Sequence, residues 1–316
     1  MLWQRTAAGA TENPAEITFF PGEVESLLRR EHLSRLSLNH TTTWRWSPED
    51  DVRVYRRTGL PAIGLSYQKL MRFGLKDSIP AIRRSGLKVS SLGWAGGFAG
   101  LPGGYRYNDA VQDGKRILKL ARLLDAESVT ILSGPQRGHI RPQALRCLQD
   151  GLFELSLAAE RLGIRLALQP MHPLFTEKWS FLNSLQDTFN VVRSFDPKVV
   201  GVSLGTYHVC DDPDFEHYTR LLLPYIANVT VSDWKETTAD DNDRAIPGQG
   251  VTPLVTMVSH LERIGYTGRY EVEVWSRDTW QGDGKTILKN CLAGMGDLLQ
   301  AAAPFPHRAK TGARQR

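Results

Sequence analysis

Short apolar runs recur along the chain, each followed by a longer stretch with apolar positions three or four residues apart. The short runs predict strands at 35–39, 62–66, 88–92, 128–132, 165–169, 199–204, 228–232 and 270–275. The longer stretches predict helices between them, among them 109–124, 142–162, 183–195 and 253–264. Pro142 stands at a helix start, and Gly163 and Gly265 stand just past helix ends, where a left-handed residue closes the last turn. Eight strands alternating with helices call for a parallel sheet covered by helices, and eight such units close into a (β/α)8 TIM barrel. An open doubly wound sheet uses the same alternation. No GxGxxG follows the first strand, however, so a dinucleotide-binding fold has no support.

The longer connections follow strands, at 93–108, 133–141, 170–182 and 233–250, on the barrel face where sites are built. Residues 1–33 are read as an N-terminal extension with a short helix at 23–30, residues 34–303 as the barrel, and 304–316 as a basic tail. From His307 to Arg316 that tail holds four Lys/Arg and no acid, the composition of a solvated end. With 316 residues, 41% hydrophobic and 23% charged, the chain is long enough for one large core. Its net charge of +5 comes with no basic, aromatic-interleaved stripe, so no nucleic-acid partner is expected. Cys147, Cys210 and Cys291 form no CxxC pair, which fits a reducing compartment, and Cys210 beside His208 reads as small apolar filler. No stretch approaches the ~18 apolar residues of a membrane span, and no apolar leader is visible. The expectation is a cytoplasmic protein without membrane contact.

Several segments carry a more specific signal. They are Leu36-Ser-Leu-Asn39 with Thr42 to Ser47, Gly59 to Leu65, Val89 to Leu92, Leu166-Ala-Leu-Gln-Pro-Met-His-Pro173, Gly205-Thr-Tyr-His208, Ser232-Asp-Trp234, Pro247-Gly-Gln-Gly250 and Tyr270-Glu-Val-Glu-Val-Trp-Ser276. In this order they resemble the sugar phosphate isomerase/epimerase family, whose fold is a xylose isomerase-like TIM barrel. The resemblance implies isomerisation or epimerisation of a sugar or polyol around one divalent metal at the barrel mouth. There a cation polarises an oxygen while carboxylates move a proton on carbon. It also exposes departures. Gln169 stands where the family carries a ligating Glu, Gly205 where it carries Asp, and Thr230 where it carries His or Gln, while Glu273 keeps the family's carboxylate. Divalent metal (Mn²⁺ or Mg²⁺) is therefore expected to bind no tighter than about millimolar, held by Glu273 and Gln169 if at all. The double change Gln169→Glu with Gly205→Asp is expected to restore it.

The site residues follow from the same positions. Glu273 is the candidate base, expected to face inward with Glu271 on the opposite face. His208 and His172 are candidate electrophiles past strand ends, and His40 is a weaker one. Gln169, Arg244, Asp233 and Trp94 are candidate substrate-binding groups. Arg244 would act with the N–H groups of Pro247-Gly-Gln-Gly250 on an anion, and Asp233 would hold a hydroxyl or cap its loop. Trp44, Trp46, Trp179 and Trp275 are placed in or beside the mouth, suited to the C–H face of a sugar. Asp211, Asp212 and Glu177 are the acids from which a different ligand set would come. The expected partner is a carbohydrate-like small molecule, and a homo-oligomer is compatible with the chain. The rival reading is a non-catalytic barrel that binds a small ligand or a protein. A nuclease of the endonuclease IV type shares the barrel but needs a several-metal cluster that these substitutions remove.

Overall fold

Apolar and polar residues alternate along most of the strands, and the fold sends the two sets to opposite sides. The structure is a computed structural model that describes residues 14–20, 22–238, 240 and 242–302. Its strands are β1 (Leu36–Asn39), β2 (Ala62–Ser66), β3 (Lys88–Gly96), β4 (Ser128–Leu132), β5 (Arg165–Leu168), β6 (Val200–Gly205), β7 (Ile226–Val231), β8 (Asp233–Trp234), β9 (Arg244–Ala245) and β10 (Tyr270–Val272). Eight of them form a closed barrel in the order β1-β10-β7-β6-β5-β4-β3-β2, and β8 pairs with β9 as a separate antiparallel ladder. The expected (β/α)8 barrel is the observed fold.

Leu36 and Leu38, Val229 and Val231, and Tyr270 and Val272 are buried strand residues that belong to the apolar core. The residues between them line the barrel interior, which is unusually polar, since such interiors are generally filled by branched aliphatics. Ser37 shares a hydrogen bond with Ser90 at 2.6 Å, and Glu271 accepts from Ser90 at 2.6 Å, Asn39 at 2.7 Å and Ser91 at 2.8 Å. Gly64 leaves the room this carboxylate needs, because a Cβ there would overlap it. Burial pushes the Glu271 carboxyl above its ordinary range, against the pull of the Ser90 and Asn39 hydrogen bonds. The expectation that Glu271 faces away from Glu273 is wrong. Residues two apart on a strand share a face, and both lie inside.

Element ends moved in places. β3 continues to Gly96, whereas β10 stops at Val272, three residues short of the expected 275. Past that point Glu273 N–H still donates to Val231 O, but Val274 N–H turns to the hydroxyl of Thr42 in the loop after β1. The helices expected at 109–124, 142–162 and 253–264 are Tyr107–Leu123, Arg141–Leu162 and Leu254–Arg263. The helix expected at 183–195 is Leu185–Val192, begun by Ser184 accepting from Asp187 N–H. The N-terminal helix expected at 23–30 is two pieces, Glu23–Leu27 and Arg30–Leu33, interrupted by extended Leu28. Ile17, Val24 and Leu28 of this segment are buried in the same core as the barrel. Glu23 also pairs with Lys289 at 2.5 Å on the last helix, Gly284–Ala302. The tail at 304–316 lies outside the described residues. Among those described, no helix is long and apolar enough to cross a membrane.

One buried cluster fixes the loop after β1. Lys69 Nζ donates to His40 O and Thr43 O at 2.7 Å and to Asp51 Oδ2 at 2.6 Å, with both charged side chains wholly enclosed. His40 Nε2 accepts from Ser66 N–H at 2.5 Å, so this imidazole ties the ends of β1 and β2 together and offers nothing to the mouth.

Candidate active site

The C-terminal strand ends bring the family-matched positions to one place. Gly205 closes β6 with ordinary extended backbone, φ −93° and ψ 116°. A Cβ built there would stand 3.0 Å from His208 Cδ2, 3.0 Å from Thr230 Oγ1 and 3.4 Å from Gln169 Nε2. Gln169 and Glu273, just past β5 and β10, line a small cavity with Trp94, Trp179, Trp275, Met171, Leu132, His208 and Arg244. Its free space is about 50 Å³, room for roughly three to five waters. Larger grooves of about 470 and 650 Å³ lie on the outer helices and beside the N-terminal segment, lined by residues such as Arg56, Arg57 and Arg84. They carry no group from the strand ends and are remote from this chemistry.

Arg244 reaches the cavity from β9 and organises it. Its NH1 donates to Glu273 Oε2 at 2.8 Å and its NH2 to His208 Nε2 at 3.2 Å, while the guanidinium lies 4.8 Å from the centre of the Tyr207 ring. The pair is mostly out of water, with side-chain exposures of 8% for Arg244 and 19% for Glu273. Burial pushes the His208 pKa well below its ordinary value, and the Arg244 charge pushes it the same way. A guanidinium only donates, so His208 Nε2 accepts from Arg244, while the backbone N–H of His172 points at Nδ1 from 3.5 Å. His208 is therefore a neutral group that aims Arg244, rather than a cationic proton donor.

Two expected site residues serve the loops instead. His172 has both ring nitrogens engaged, Nδ1 by Leu174 N–H at 3.3 Å and Nε2 by Asp211 Oδ2 at 3.3 Å, and it does not line the cavity. Asp233 accepts from Trp234 N–H at 3.0 Å, Gly248 N–H at 3.1 Å, Gly250 N–H at 3.0 Å and Thr252 N–H at 2.8 Å. Those glycine-loop donors are thus spent on Asp233 and are not available to a phosphate with Arg244. A Cβ at Gly250 would overlap Trp234 O and the Asp233 carboxylate, which is why glycine stands there. Trp46 is buried in the core and does not line the cavity, and neither Asp211, Asp212 nor Glu177 lines it. Asp212 accepts from Leu185 N–H at 2.8 Å.

Trp94 does line the cavity, packed edge-on to Trp179 at 5.4 Å, and Trp275 packs against Trp44 at 6.0 Å. Sequence reasoning missed Tyr207, whose ring stacks on Trp234 at 4.4 Å while Arg244 covers it. It also missed Met171 and Leu132, although strand parity marks Leu132 as inward like Thr130. The Arg244–Glu273 pair had no sequence signal, because 29 positions separate its members.

Among the described residues no group of three or more His, Cys, Asp or Glu side chains is placed to hold a metal. The one carboxylate, Glu273, already faces a guanidinium. A dication about 4 Å from that charge would be repelled by roughly 8 kcal/mol at an effective dielectric of 20. The residues present do not fit the metal that the resemblance implies.

Comparison with known proteins agrees with the fold. The sequence matches the family described as xylose isomerase-like TIM barrel over residues 52–291. It is 22% identical over 191 residues to the inosose isomerase of Halalkalibacterium halodurans, a match covering 58% of this chain and 65% of that one. The match thus spans less than two thirds of that relative's length. A protein of Sinorhizobium meliloti has a similar structure, with a TM-score of 0.78 and 26% identity over 84% of this chain and 98% of that one. The 3-keto-D-glucoside 4-epimerase of E. coli superposes with a TM-score of 0.66 at 18% identity, over 83% of this chain and 98% of that one.

Proposed function

The chain belongs to the xylose isomerase-like TIM barrel family, and we propose that it is an isomerase or epimerase acting on a sugar or polyol-derived small molecule with little or no metal at its site. The observation that carries this reading is the cavity at the strand ends, where a carboxylate, a guanidinium and a primary amide face one another between tryptophans. That set suits proton transfer beside a carbonyl. Glu273 takes the proton from the carbon next to the C=O. The C–H electron pair becomes the C=C of an enediolate, and the carbonyl π pair moves onto oxygen. Returning the proton to the former carbonyl carbon, with the α-hydroxyl proton passing to the first oxygen, gives the isomer, and protonation of the original carbon by water on the face opposite Glu273 gives the epimer. Gln169 offers an oxygen and two N–H donors to hydroxyls, and the Trp94, Trp179 and Trp275 faces meet C–H bonds. The names of the inosose isomerase and the keto-glucoside epimerase support a cyclic or open-chain keto-polyol as the class to try first.

The engaged state of Glu273 and the small cavity favour one second reading, a barrel that binds such a ligand without turning it over. Deuterium exchange separates the two. The protein is incubated in D2O with inososes, ketohexoses and keto-glucosides, and label at the carbon beside the carbonyl is followed by NMR. The isomerase reading expects incorporation that Glu273→Gln reduces by about 10²-fold or more. Saturable binding with no exchange for any of these ligands would sink it and leave the binding protein.

A further inference from the structure

We propose that Arg244 is the resident cation of this site, taking over from a divalent metal both the neutralisation of Glu273 and the polarisation of the substrate oxygen. The catalytic half of this statement rests on the isomerase reading above. The electrostatic half does not. Its basis is position. The guanidinium bonds the one carboxylate among the family-matched positions at 2.8 Å and the imidazole beside Gly205 at 3.2 Å, and it lines the same cavity as Gln169. His208, kept neutral, accepts from it and so directs it without competing for charge. The Tyr207 ring backs it at 4.8 Å, a cation–π contact that a metal ion coordinated by oxygens would not need. Nε of Arg244 is buried with no acceptor, and NH2 carries a second N–H beyond the one given to His208. A carbonyl oxygen that becomes an enediolate oxygen is the group such a fork would hold, with stronger hydrogen bonds as negative charge develops.

This inference changes one expectation drawn from the sequence. Restoring Glu at 169 and Asp at 205 places two more carboxylates around a cation that is already there, so they would pair with Arg244 rather than recruit a metal. Gly205→Asp has the backbone for it, and its Cβ needs His208 and Thr230 to yield by a few tenths of an ångström.

The test is calorimetric titration of Mn²⁺ into five full-length proteins: wild type, Gln169→Glu/Gly205→Asp, that double variant with Arg244→Gln, the same double variant with Arg244→Lys, and Arg244→Lys alone. Wild type and both Lys-containing variants should bind Mn²⁺ no tighter than about millimolar, and so should the double variant. Only the triple variant with Arg244→Gln should gain, by at least about tenfold over the double. The Arg244→Lys proteins keep a cation beside Glu273 and guard against a fold lost by stranding that carboxylate. Should the Gln triple variant not fold, tight Mn²⁺ binding by its Lys counterpart would count against the proposal and its absence in favour. Micromolar, stoichiometric Mn²⁺ in wild type or in the double variant overturns the proposal. So does a folded Gln triple variant no better than the double. None of these readouts depends on turnover, so a failed isomerase reading leaves them intact. If exchange is found, EDTA should leave its rate unchanged, and guanidinium ion at tens of millimolar should restore part of the rate lost in Arg244→Gln. Sensitivity to EDTA would contradict the catalytic half.

Discussion

Replacing Lys69 by Met should unfold the loop that frames the mouth, and its cost can be worked out. The ammonium has no access to water and spends all three N–H groups, on His40 O, Thr43 O and Asp51 Oδ2. Methionine fills similar volume but leaves Asp51 buried without its cation, and breaking such a pair typically costs about 3–5 kcal/mol. Protonation sets a ceiling, since the variant can always bury Asp51 as the neutral acid. At pH 7, with an unfolded value of 3.8, that ceiling is roughly 1.36 × (7 − 3.8), or about 4 kcal/mol, and at pH 5 it falls to about 1.6 kcal/mol. Burial already pushes the Asp51 carboxyl up in the intact protein, with Lys69 resisting. In the variant its folded pKa lies far above the unfolded one, so stability is greatest at low pH and declines as pH rises toward neutrality. Urea denaturation of wild type, Lys69→Met, Asp51→Leu and the double variant at pH 5 and 7 measures this. The double variant should recover most of the loss, because no stranded charge remains. A cost under about 1 kcal/mol at pH 7, no relief at pH 5, or a double variant as damaged as the single would refute the reasoning. Ligand affinity should fall with stability. The same loop supplies Thr41 O to Trp280 Nε1 at 2.7 Å and the Thr42 hydroxyl to Val274 N–H at 3.1 Å, next to cavity-lining Trp275.

Two further outcomes are expected. The raised pKa of Glu271 means that its contribution is full below about 4.5 and is lost as pH climbs through the folded value, so Glu271→Gln should gain on wild type as pH rises; parallel stability profiles from pH 4 to 8 would contradict that. Asp233→Ala removes the acceptor of four backbone N–H groups and should cost roughly 2–3 kcal/mol while exposing 235–250 to protease; unchanged cleavage kinetics there would show that the loop does not depend on this carboxylate.

The barrel was legible in the chain because its strands and helices are local patterns. Leu36-Ser-Leu-Asn39 and Tyr270-Glu-Val-Glu273 alternate apolar with polar, and the helices return their apolar residues at helical spacing. Closing eight such units leaves little freedom, and strand ends place Gln169, Gly205, Thr230 and Glu273 on one face whatever chemistry follows. That much followed from the sequence alone. Which neighbour each side chain chose did not follow, because partners distant in sequence meet only once the barrel has closed. Arg244 was expected to join the glycine loop, but Asp233 had taken those N–H groups, so its charge went to Glu273 and His208. His172 looked as free as His208, and only folding set Asp211 against its ring. Lys69 and Asp51 carried no motif at all, and their enclosure exists only where two helices and a loop converge. Periodicity determines which way a residue points, whereas burial and competition for hydrogen bonds decide what it meets there.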